Sequence, residues 1–494
     1  MTTGHVDIHR TAGGASLVLF AMCLGLGLNY LFGVFIARWL GADAFGLYAV
    51  GVAVFGAVSV LAVLALDNAV LRYLPQLKAR EPEQRGAFIK ASLVAVAVAG
   101  SLAAALLYAF GEALALRFFG KDELAPVLKA FALAVPAYGC AAVLLGALQA
   151  LHDLRWRVSI KYFAEPVARF ALTAVLIWAG WGLESALAGF VAALWLSVLL
   201  AGIGIGRMGV LRSAQPVPYP WRALAAHAGP LVVGLSVSLI AVKADVLLLG
   251  LYVDPAVVGV YAAAFQTAAI LSIVMQAVES VLAPLWSEKI EAGNREEIRS
   301  LYALGNRWVT MTALPLVTLY LLLAEAILGI YGEEFKSGAT ALRLLAIAQF
   351  VNLTTGSSNY LLMLAGNTRQ VMWSALLYGG LLLALNLALV PRLGITGAAL
   401  AVLGASAVIN LVRLWQVYVL MGIHPYDMNL AKPLCAALAV GALAILLETA
   451  WLDSAAAIGA IAFAAYAVLL HLLGLEADDK RALAGVLRRP FQGG

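Results

Sequence analysis

Several charged side chains lie inside long apolar stretches of this chain, where each could bind an ion or a charged ligand. A charge at the centre of a membrane span costs at least about 2.5–3.5 kcal/mol, so its presence needs a physical reason. Glu165 and Arg169 stand four residues apart, with Pro166 between them. Helical spacing places them on one face, where they could form an internal ion pair. Alternatively, Arg169 binds an anionic group, since its planar fork holds phosphate oxygens in pairs, while Glu165 orients it or carries a coupling proton.

Lys243 and Asp245 form a second pair of candidates. Because they stand two residues apart, on a helix they point to different faces and should not pair with each other. Each then needs a partner elsewhere or a water-filled cavity, and we predict that both line a cavity. For Lys243 the alternative is snorkelling to the membrane surface, because Tyr252 follows soon after it in the same stretch.

Other polar residues in apolar stretches extend this set. Asp67 lies deep enough in its stretch to line a cavity. Glu279 and Glu325 have no partner on their own helix, and each could carry a proton or stay neutral through burial. Asn352 and Asn359 belong to an unusually polar stretch, which could line a path for hydroxyl-rich ligands or form hydrogen bonds between helices.

The composition indicates what kind of element must hold these residues. The chain is 63% hydrophobic and 12% charged. Soluble domains carry about 25% charged residues, so most of this chain should lie in lipid. Its net charge of +5 comes from residues in short loops and not from a patch, so it does not indicate nucleic-acid binding. The three cysteines lie in apolar stretches and imply no disulfide framework.

Fourteen apolar stretches are long enough to cross a membrane, and they must be helices because irregular backbone cannot face lipid. Lys and Arg fall predominantly in alternate loops, which places both termini on the cytoplasmic side. Numbered one to fourteen in chain order, the predicted spans cover residues 14–37, 44–71, 87–111, 125–151, 159–180, 184–206, 224–251, 256–283, 302–330, 338–364, 370–391, 396–421, 431–451 and 454–474.

The chain also repeats itself at an offset of about 213 residues, which pairs spans one to six with spans seven to twelve. Segment 43–49 returns as 254–262 with two residues inserted. An even number of spans in each half gives both halves the same orientation, so the pseudo-symmetry axis should run along the membrane normal. Spans thirteen and fourteen have no counterpart. Later landmarks return in the same order: Gly120 as Gly332, Arg155 as Arg369, and Gly182 as Gly394.

We therefore predict an all-α polytopic membrane protein of about 14 transmembrane helices, with two parallel-repeat six-helix bundles and two additional helices. The bundles would occupy residues 1–212 and 213–424, and residues 425–494 would form the two extra helices and a cytoplasmic tail. Duplicated bundles of this kind are typical of secondary transporters, which bind their substrate between the repeats.

Three sequence motifs point to a known family. They are the segment 37–48, which reads ARWLGADAFGLY, the segment 245–250 followed by 258–264, and the segment 331–335, which reads YGEEF. Together and in this order they resemble the polysaccharide transporter family, the oligosaccharide flippases of bacterial envelope synthesis, which are related to multidrug and toxin extrusion carriers and lipid II flippases. The resemblance implies two bundles around a cavity that opens alternately to each side, and a cargo of oligosaccharide linked to a polyprenyl diphosphate.

The resemblance also suggests roles for the charged residues. Arg169 and Lys243 would attract the diphosphate, and spans thirteen and fourteen would guide the lipid tail. A coupling H⁺ or Na⁺ would drive the cycle, with no resident cofactor and no metal site. The full substrate-binding set is Arg169, Lys243, Asp245, Glu165, Asp67, Asn352 and Asn359. The ion-coupling candidates are Glu165, Asp245, Glu279 and Glu325.

Enzymatic functions fit the sequence poorly. The six histidines are scattered without metal-binding spacing, and there is no Gly-rich phosphate loop ending in Lys-Ser or Lys-Thr. We predict a non-enzymatic flippase of the bacterial inner membrane whose partners are the lipid-linked oligosaccharide, membrane lipid, and candidate polymerases and glycosyltransferases. One alternative is a cation-coupled drug or metabolite antiporter, and another is a non-transporting scaffold for envelope-synthesis enzymes.

Overall fold

The computed structural model describes residues 8–80, 84–151, 153–210, 243–450 and 455–472, and every regular element in these ranges is helical. Two π-helical turns cover Leu114–Phe118 and Ile160–Ala164, and two 3-10 turns cover Glu333–Gly338 and Met428–Leu430. The α-helices are Ile8–Val63, Leu66–Arg80, Gln84–Ala113, Leu124–Ala132, Val135–Ala150, Leu154–Ser159, Glu165–Trp178, Leu183–Arg207, Ala244–Tyr252, Pro255–Ala269, Ser272–Glu291, Arg295–Leu322, Ala324–Leu328, Ala339–Thr354, Ser358–Leu364, Thr368–Met421, Ala431–Ala450 and Ala455–Leu472.

Six helical stretches in the described ranges are long and apolar enough to cross a membrane. Two of them are long enough for a pair of predicted spans each, and they bend at a glycine with positive φ: Gly41 at 81° and Gly394 at 54°. Most of span seven lies outside the described residues, so the number fourteen stays a prediction. The six stretches are Ala21–Leu77, Gln84–Phe118, Leu124–Ala150, Leu183–Arg207, Pro255–Glu291 and Thr368–Met421.

The repeat found in the sequence recurs in the local structure. Gly120 and Gly332 are equivalent in the repeat, and both have positive φ, at 66° and 151°. Asp153 and Asn367 are also equivalent, and each is the N-cap residue of the helix that follows it. These two pairs therefore have matching local structure in both halves, whereas Gly182 and Gly394 differ, with φ angles of −83° and 54°.

Several predicted spans consist of more than one helix, and in two of them the break has positive φ. Span two breaks at Leu64 and Ala65, whose φ angles are 55° and 52°, and a new helix starts at Leu66. Span ten ends its first helix at Thr354 and resumes at Ser358, with Gly356 at φ 66° between them. Residues other than glycine rarely adopt positive φ, and such strain often marks functional sites. Hydropathy reports the length of an apolar stretch and carries no signal for a break in its backbone.

The chain forms two compact units. Unit 1 contains Met1–Gln266, Tyr331–Phe335 and Ala375–Ala401, and unit 2 contains Thr267–Ile330, Lys336–Ser374 and Val402–Gly494. These units differ from the repeat halves, because parts of the second half pack within unit 1. The division at 1–212, 213–424 and 425–494 follows the repeat and stays a prediction.

Within unit 1, the two copies of the first repeated motif contact each other. A Cβ atom on Gly46 would overlap the carbonyl oxygen of Pro255, and one on Gly259 would overlap the carbonyl oxygen of Ala42. The backbones of these two helices can approach so closely only because both positions are glycine. Beside this crossing, Glu334 Oε1 accepts a hydrogen bond of 2.8 Å from the backbone N–H of Ala42.

Within unit 2, the two additional helices pack on the helix Arg295–Leu322. Their buried residues form one apolar cluster with Leu314 of that helix. The Tyr466 hydroxyl donates a hydrogen bond of 3.1 Å to the carbonyl of Met311. Arg307 forms a 3.1 Å ion pair with Asp427, just before the first additional helix. Spans thirteen and fourteen are therefore fixed to span nine by apolar packing and polar contacts.

Candidate functional site

Span five has an unusual backbone that determines where its charged residues point. Its first helix, Leu154–Ser159, is capped by Asp153, whose carboxylate accepts a hydrogen bond of 3.1 Å from Trp156 N–H. A π turn follows over Ile160–Ala164, and the second helix begins at Glu165. Pro166 has no N–H to donate to the preceding turn and its ring clashes there, so a wider turn relieves the strain. Such π turns are frequent at functional sites.

Arg169 lies in this second helix among polar and aromatic groups of unit 1. Its guanidinium donates to Asn29 Oδ1. The guanidinium carbon lies 4.6 Å from the ring centroid of Phe32 and 5.9 Å from that of Phe190, where the ring faces attract a cation. Its Nε is buried without a hydrogen-bond partner. No carboxylate among the described residues forms an ion pair with Arg169, so its charge and one of its donors are available to an anion.

The Tyr48 side chain also interacts with Arg169, and two residues with amide side chains, Asn29 and Gln266, are linked to each other beside it. Asn29 also donates to the carbonyl of Gly25 at 2.8 Å, which fixes the oxygen that faces Arg169. Gln266 Nε2 donates a hydrogen bond of 2.8 Å to the backbone carbonyl oxygen of Asn29. Sequence analysis missed both residues, although an isolated amide in an apolar stretch is the signal that would have identified them.

Glu165 pairs with Lys161 and not with Arg169. Its two carboxylate oxygens lie 3.0 and 3.2 Å from Lys161 Nζ, and the Ser197 hydroxyl donates to it at 3.0 Å. The internal Glu165–Arg169 pair considered from the sequence is therefore not formed. Helical spacing allows a partner on either side of Glu165, and the contacts of Arg169 with span one decide between them. Lys161 was missed because it stands at the predicted end of the span.

Asp67 and Glu165 are brought to the same region. Asp67 lies in the first turn of the helix after the break in span two, and its Oδ1 accepts a hydrogen bond of 3.2 Å from Asn68. Tyr138, on span four, has its hydroxyl within electrostatic range of Lys161, Asp67 and Glu165. Two predicted site residues thus lie within electrostatic range of a tyrosine that sequence analysis did not select.

Asp245 does not line a cavity, which corrects the prediction from sequence. It is only 2% exposed. The Tyr261 hydroxyl donates to its Oδ2 at 2.7 Å, and the Val246 N–H donates to its Oδ1 at 2.7 Å. Lys243 precedes the helix that contains Asp245 and is half-buried, and it has no hydrogen bond or ion pair within the described part of the chain. Asp245 is satisfied as a structural acceptor, whereas Lys243 remains available.

The polar residues of span ten form a network in unit 2. Asn352 Oδ1 accepts a hydrogen bond of 3.2 Å from Asn410, and the Thr355 hydroxyl donates to Asn410 Oδ1 at 3.0 Å. The Tyr302 hydroxyl donates to the Thr355 carbonyl at 3.0 Å. Hydrogen bonding between helices therefore occupies Asn352. Asn359, beyond the break, is half-buried and has no hydrogen-bond partner among the described side chains.

The two remaining acidic candidates lie in different surroundings. Glu279 is half-buried, and its carboxyl interacts with the side chain of Ser357 at the break in span ten. Glu325 is exposed and lies 3.8 Å from Arg343, with 67% of its side chain accessible. Of the two readings predicted for Glu325, a carboxyl kept neutral by burial is wrong, because a helix ends at Leu322 and the Glu325 side chain beyond it is exposed, while its role as a coupling candidate stays a prediction. Glu279 keeps the properties of a coupling candidate.

No group of three or more His, Cys, Asp or Glu side chains in the described ranges could hold a metal ion. A polytopic α-helical fold with charged residues held inside its apolar helices defines a membrane transporter.

The family is shown by comparison with known proteins. Residues 12–290 match the family described as polysaccharide biosynthesis protein, and the chain belongs to that family. Residues 230–388 also match the MatE family. The resemblance to oligosaccharide flippases and extrusion carriers is thereby confirmed. These are families of transporters and not of enzymes.

Individual relatives agree in fold. The chain is 25% identical over 398 residues to the probable low-salt glycan biosynthesis flippase Agl15 of Haloferax volcanii, covering 78% of this chain and 79% of Agl15. The lipid II flippase MurJ in an inward closed conformation has a TM-score of 0.75 at 14% identity, over 92% of this chain and 97% of MurJ. An inward-facing multidrug resistance MATE transporter has a TM-score of 0.68 at 14% identity, over 82% of this chain and 98% of that chain. The all-α polytopic fold is confirmed.

Proposed function

We propose that the protein is a flippase that moves a polyprenyl-diphosphate-linked oligosaccharide across the bacterial inner membrane by ion-coupled alternating access. The observation that carries this proposal is Arg169, a guanidinium inside apolar helices with no carboxylate partner among the described residues and with a buried, unpartnered Nε. A diphosphate offers the oxygen pairs that a guanidinium fork binds best. Family membership and the similarity to Agl15 and MurJ support the same class of cargo.

Each unit, taken by itself, contains candidate residues for the cargo. Arg169 would take one phosphate, with Asn29 keeping its guanidinium in place. Lys243 forms no hydrogen bond or ion pair in the described part of the chain, although it lies within electrostatic range of Asp245, and it is a second candidate for the diphosphate. Asn359 could meet the sugars, since its amide is not engaged with described neighbours. Spans thirteen and fourteen, packed on span nine, would guide the lipid tail.

Ion coupling requires a group whose charge state differs between the two sides of the membrane. Glu279 is the best-placed acidic candidate in unit 2, and Glu165 in unit 1 is the second. Protonation of either carboxyl by the ion gradient, or binding of Na⁺ to it, would change the relative stability of the two states. A ligand drives such a change only if its affinity differs between them.

The test is export in cells that lack this gene. We expect lost surface polysaccharide and accumulated lipid-linked oligosaccharide on the cytoplasmic face. In complemented cells, Arg169→Gln should lower transport by about 10- to 150-fold, because a hydrogen bond to a charged group contributes about 1.5–3 kcal/mol. Arg117→Gln, at an exposed position, is the matched control. Wild-type export by Arg169→Gln at normal protein levels would refute the assignment.

The match of residues 230–388 to the MatE family favours one second candidate, a cation-coupled drug or metabolite antiporter. An organic cation would need accessible carboxylates, yet Asp245 is buried and hydrogen-bonded, and Glu165 is paired with Lys161. Normal polysaccharide export with altered drug tolerance in the deletion strain would select the antiporter.

A further inference from the structure

Four charged residues recur at every fourth position from the helix Leu154–Ser159 into span five: Arg157, Lys161, Glu165 and Arg169. In an α-helix four residues advance about 400°, so this series would drift by about 40° at each step and leave its face. A π turn contains more residues than an α-helical turn, so each residue advances through a smaller angle. The π turn Ile160–Ala164 therefore reduces the angular drift between the charged residues. The contact of 3.0 Å between Lys161 Nζ and Glu165 Oε1 places the two middle members on one face.

We infer that Arg157 and Lys161 form a receiving step for a phosphate-bearing anion on its way to Arg169. This inference rests on the proposed function and deepens it, since it names the residues that the diphosphate would meet before it reaches Arg169. Arg157 and Lys161 lie towards the end of span five that the distribution of Lys and Arg places on the cytoplasmic side, where the cargo is loaded.

The accessible groups of this series are the cations. The Lys161 side chain is 39% exposed and that of Glu165 only 15% exposed, so an arriving anion meets the ammonium before the carboxylate. Arg157 is half-buried, and its Nε is a buried donor without a hydrogen-bond partner. Arg169 Nε is in the same condition further along the helix. The first and the last residue of the series, Arg157 and Arg169, therefore each have an Nε–H donor without a hydrogen-bond partner.

Lys161 can leave Glu165 for another anionic partner while Glu165 keeps one hydrogen-bond donor. Glu165 is held by Lys161 and also by the Ser197 hydroxyl at 3.0 Å. A phosphate that takes Lys161 leaves Glu165 with the Ser197 hydrogen bond, while Lys161 keeps an anionic partner. Loss of the ammonium partner costs less for Glu165 than for a carboxylate with no other contact, because its side chain keeps 15% exposure and the Ser197 hydrogen bond. Glu165 thus competes with the anion for Lys161, and the competition predicts effects of opposite sign.

The experiment measures binding of farnesyl diphosphate to the purified full-length protein in nanodiscs of uncharged lipid. Lys161→Gln should weaken binding about tenfold or more, through loss of a charged hydrogen bond. Lys161→Arg should retain binding, and Glu165→Gln should tighten it several-fold by releasing Lys161. Arg155→Gln is the matched control, because Arg155 is exposed and lies two residues from Arg157, on another face.

Several outcomes would overturn the inference. If the Lys161–Glu165 pair only stabilises the fold, Lys161→Gln and Glu165→Gln will both lower the unfolding temperature. Neither variant will then bind farnesyl diphosphate more tightly than the wild type. Wild-type binding by Lys161→Gln together with lost binding by Arg169→Gln would remove this step and leave the proposed function intact. Displacement of farnesyl diphosphate by an equal amount of phosphatidylglycerol would assign the site to lipid headgroups. If Lys161→Gln fails to fold, Lys161→Arg and Glu165→Gln decide the question.

Discussion

The crossing of Gly46 and Gly259 predicts that a single methyl group will destabilise this conformation of unit 1. A Cβ atom on Gly46 would overlap the carbonyl oxygen of Pro255, a backbone atom that cannot rotate away as a side chain can. The two helices must then separate in Gly46→Ala. Overpacking of this kind costs about 1–3 kcal/mol. A coupling of that size corresponds to about a 5- to 150-fold shift in a conformational equilibrium.

Ala42 can report this separation, because it is only 1% exposed and lies beside the crossing. A cysteine at Ala42, in a protein whose Cys23, Cys140 and Cys435 have been replaced by alanine, should react slowly with a water-soluble maleimide. We expect Gly46→Ala to accelerate that reaction by about the same 5- to 150-fold factor, since labelling follows the population of the open state.

A matched control lies on the same helix. A methyl group added at Gly56 would have no atom within 4 Å, so Gly56→Ala should leave labelling unchanged or slightly slower. A cysteine at Leu148, buried at 0% exposure in another part of unit 1, should stay protected in both variants and so exclude general unfolding. Equal labelling of Ala42→Cys in the Gly46→Ala and Gly56→Ala backgrounds would refute the argument.

Two further predictions concern stability. Tyr261→Phe removes the donor to the buried Asp245 carboxylate, so it should cost about 1–3 kcal/mol. An unfolding temperature equal to that of the wild type would show that Asp245 does not depend on this bond. Asn352→Ala and Asn410→Ala should be coupled by about 0.5–3 kcal/mol in a double-mutant cycle of unfolding free energies, because the two amides are hydrogen-bonded. Strictly additive losses would instead leave Asn352 free to bind substrate.

The helical class and the repeat could be predicted because they rest on local properties of the chain. Apolar length sets where a membrane helix forms, and the repeated glycines and caps are local signals that recur at equivalent places, as Asp153 and Asn367 do. The breaks at Leu64–Ala65 and Gly356 were not predicted. Positive φ at Leu64 and Ala65 has no signature in residue type, since residues other than glycine rarely adopt it.

The candidate site was predicted only in part, because partner choice depends on distant segments. Arg169 and Glu165 were selected from the sequence because a charged side chain inside a membrane span is costly. Both belong to the polar region of unit 1. Glu325 was selected by the same reasoning, but it is exposed and lies near Arg343. Hydropathy averages over a stretch and does not report which side of a helix end a single residue occupies.

The sequence by itself determined that this chain is a duplicated bundle of membrane helices of a transporter family, since apolar length, loop charge and repeated motifs are properties of short segments. Only the tertiary structure decided that Arg169 meets Asn29, that Glu165 holds Lys161, and that Asp245 is buried against Tyr261. Each of these outcomes is a competition between partners that helical spacing alone leaves equally reachable. The contacts of neighbouring helices settle that competition, because a buried charge takes whichever partner the packing brings within hydrogen-bonding distance.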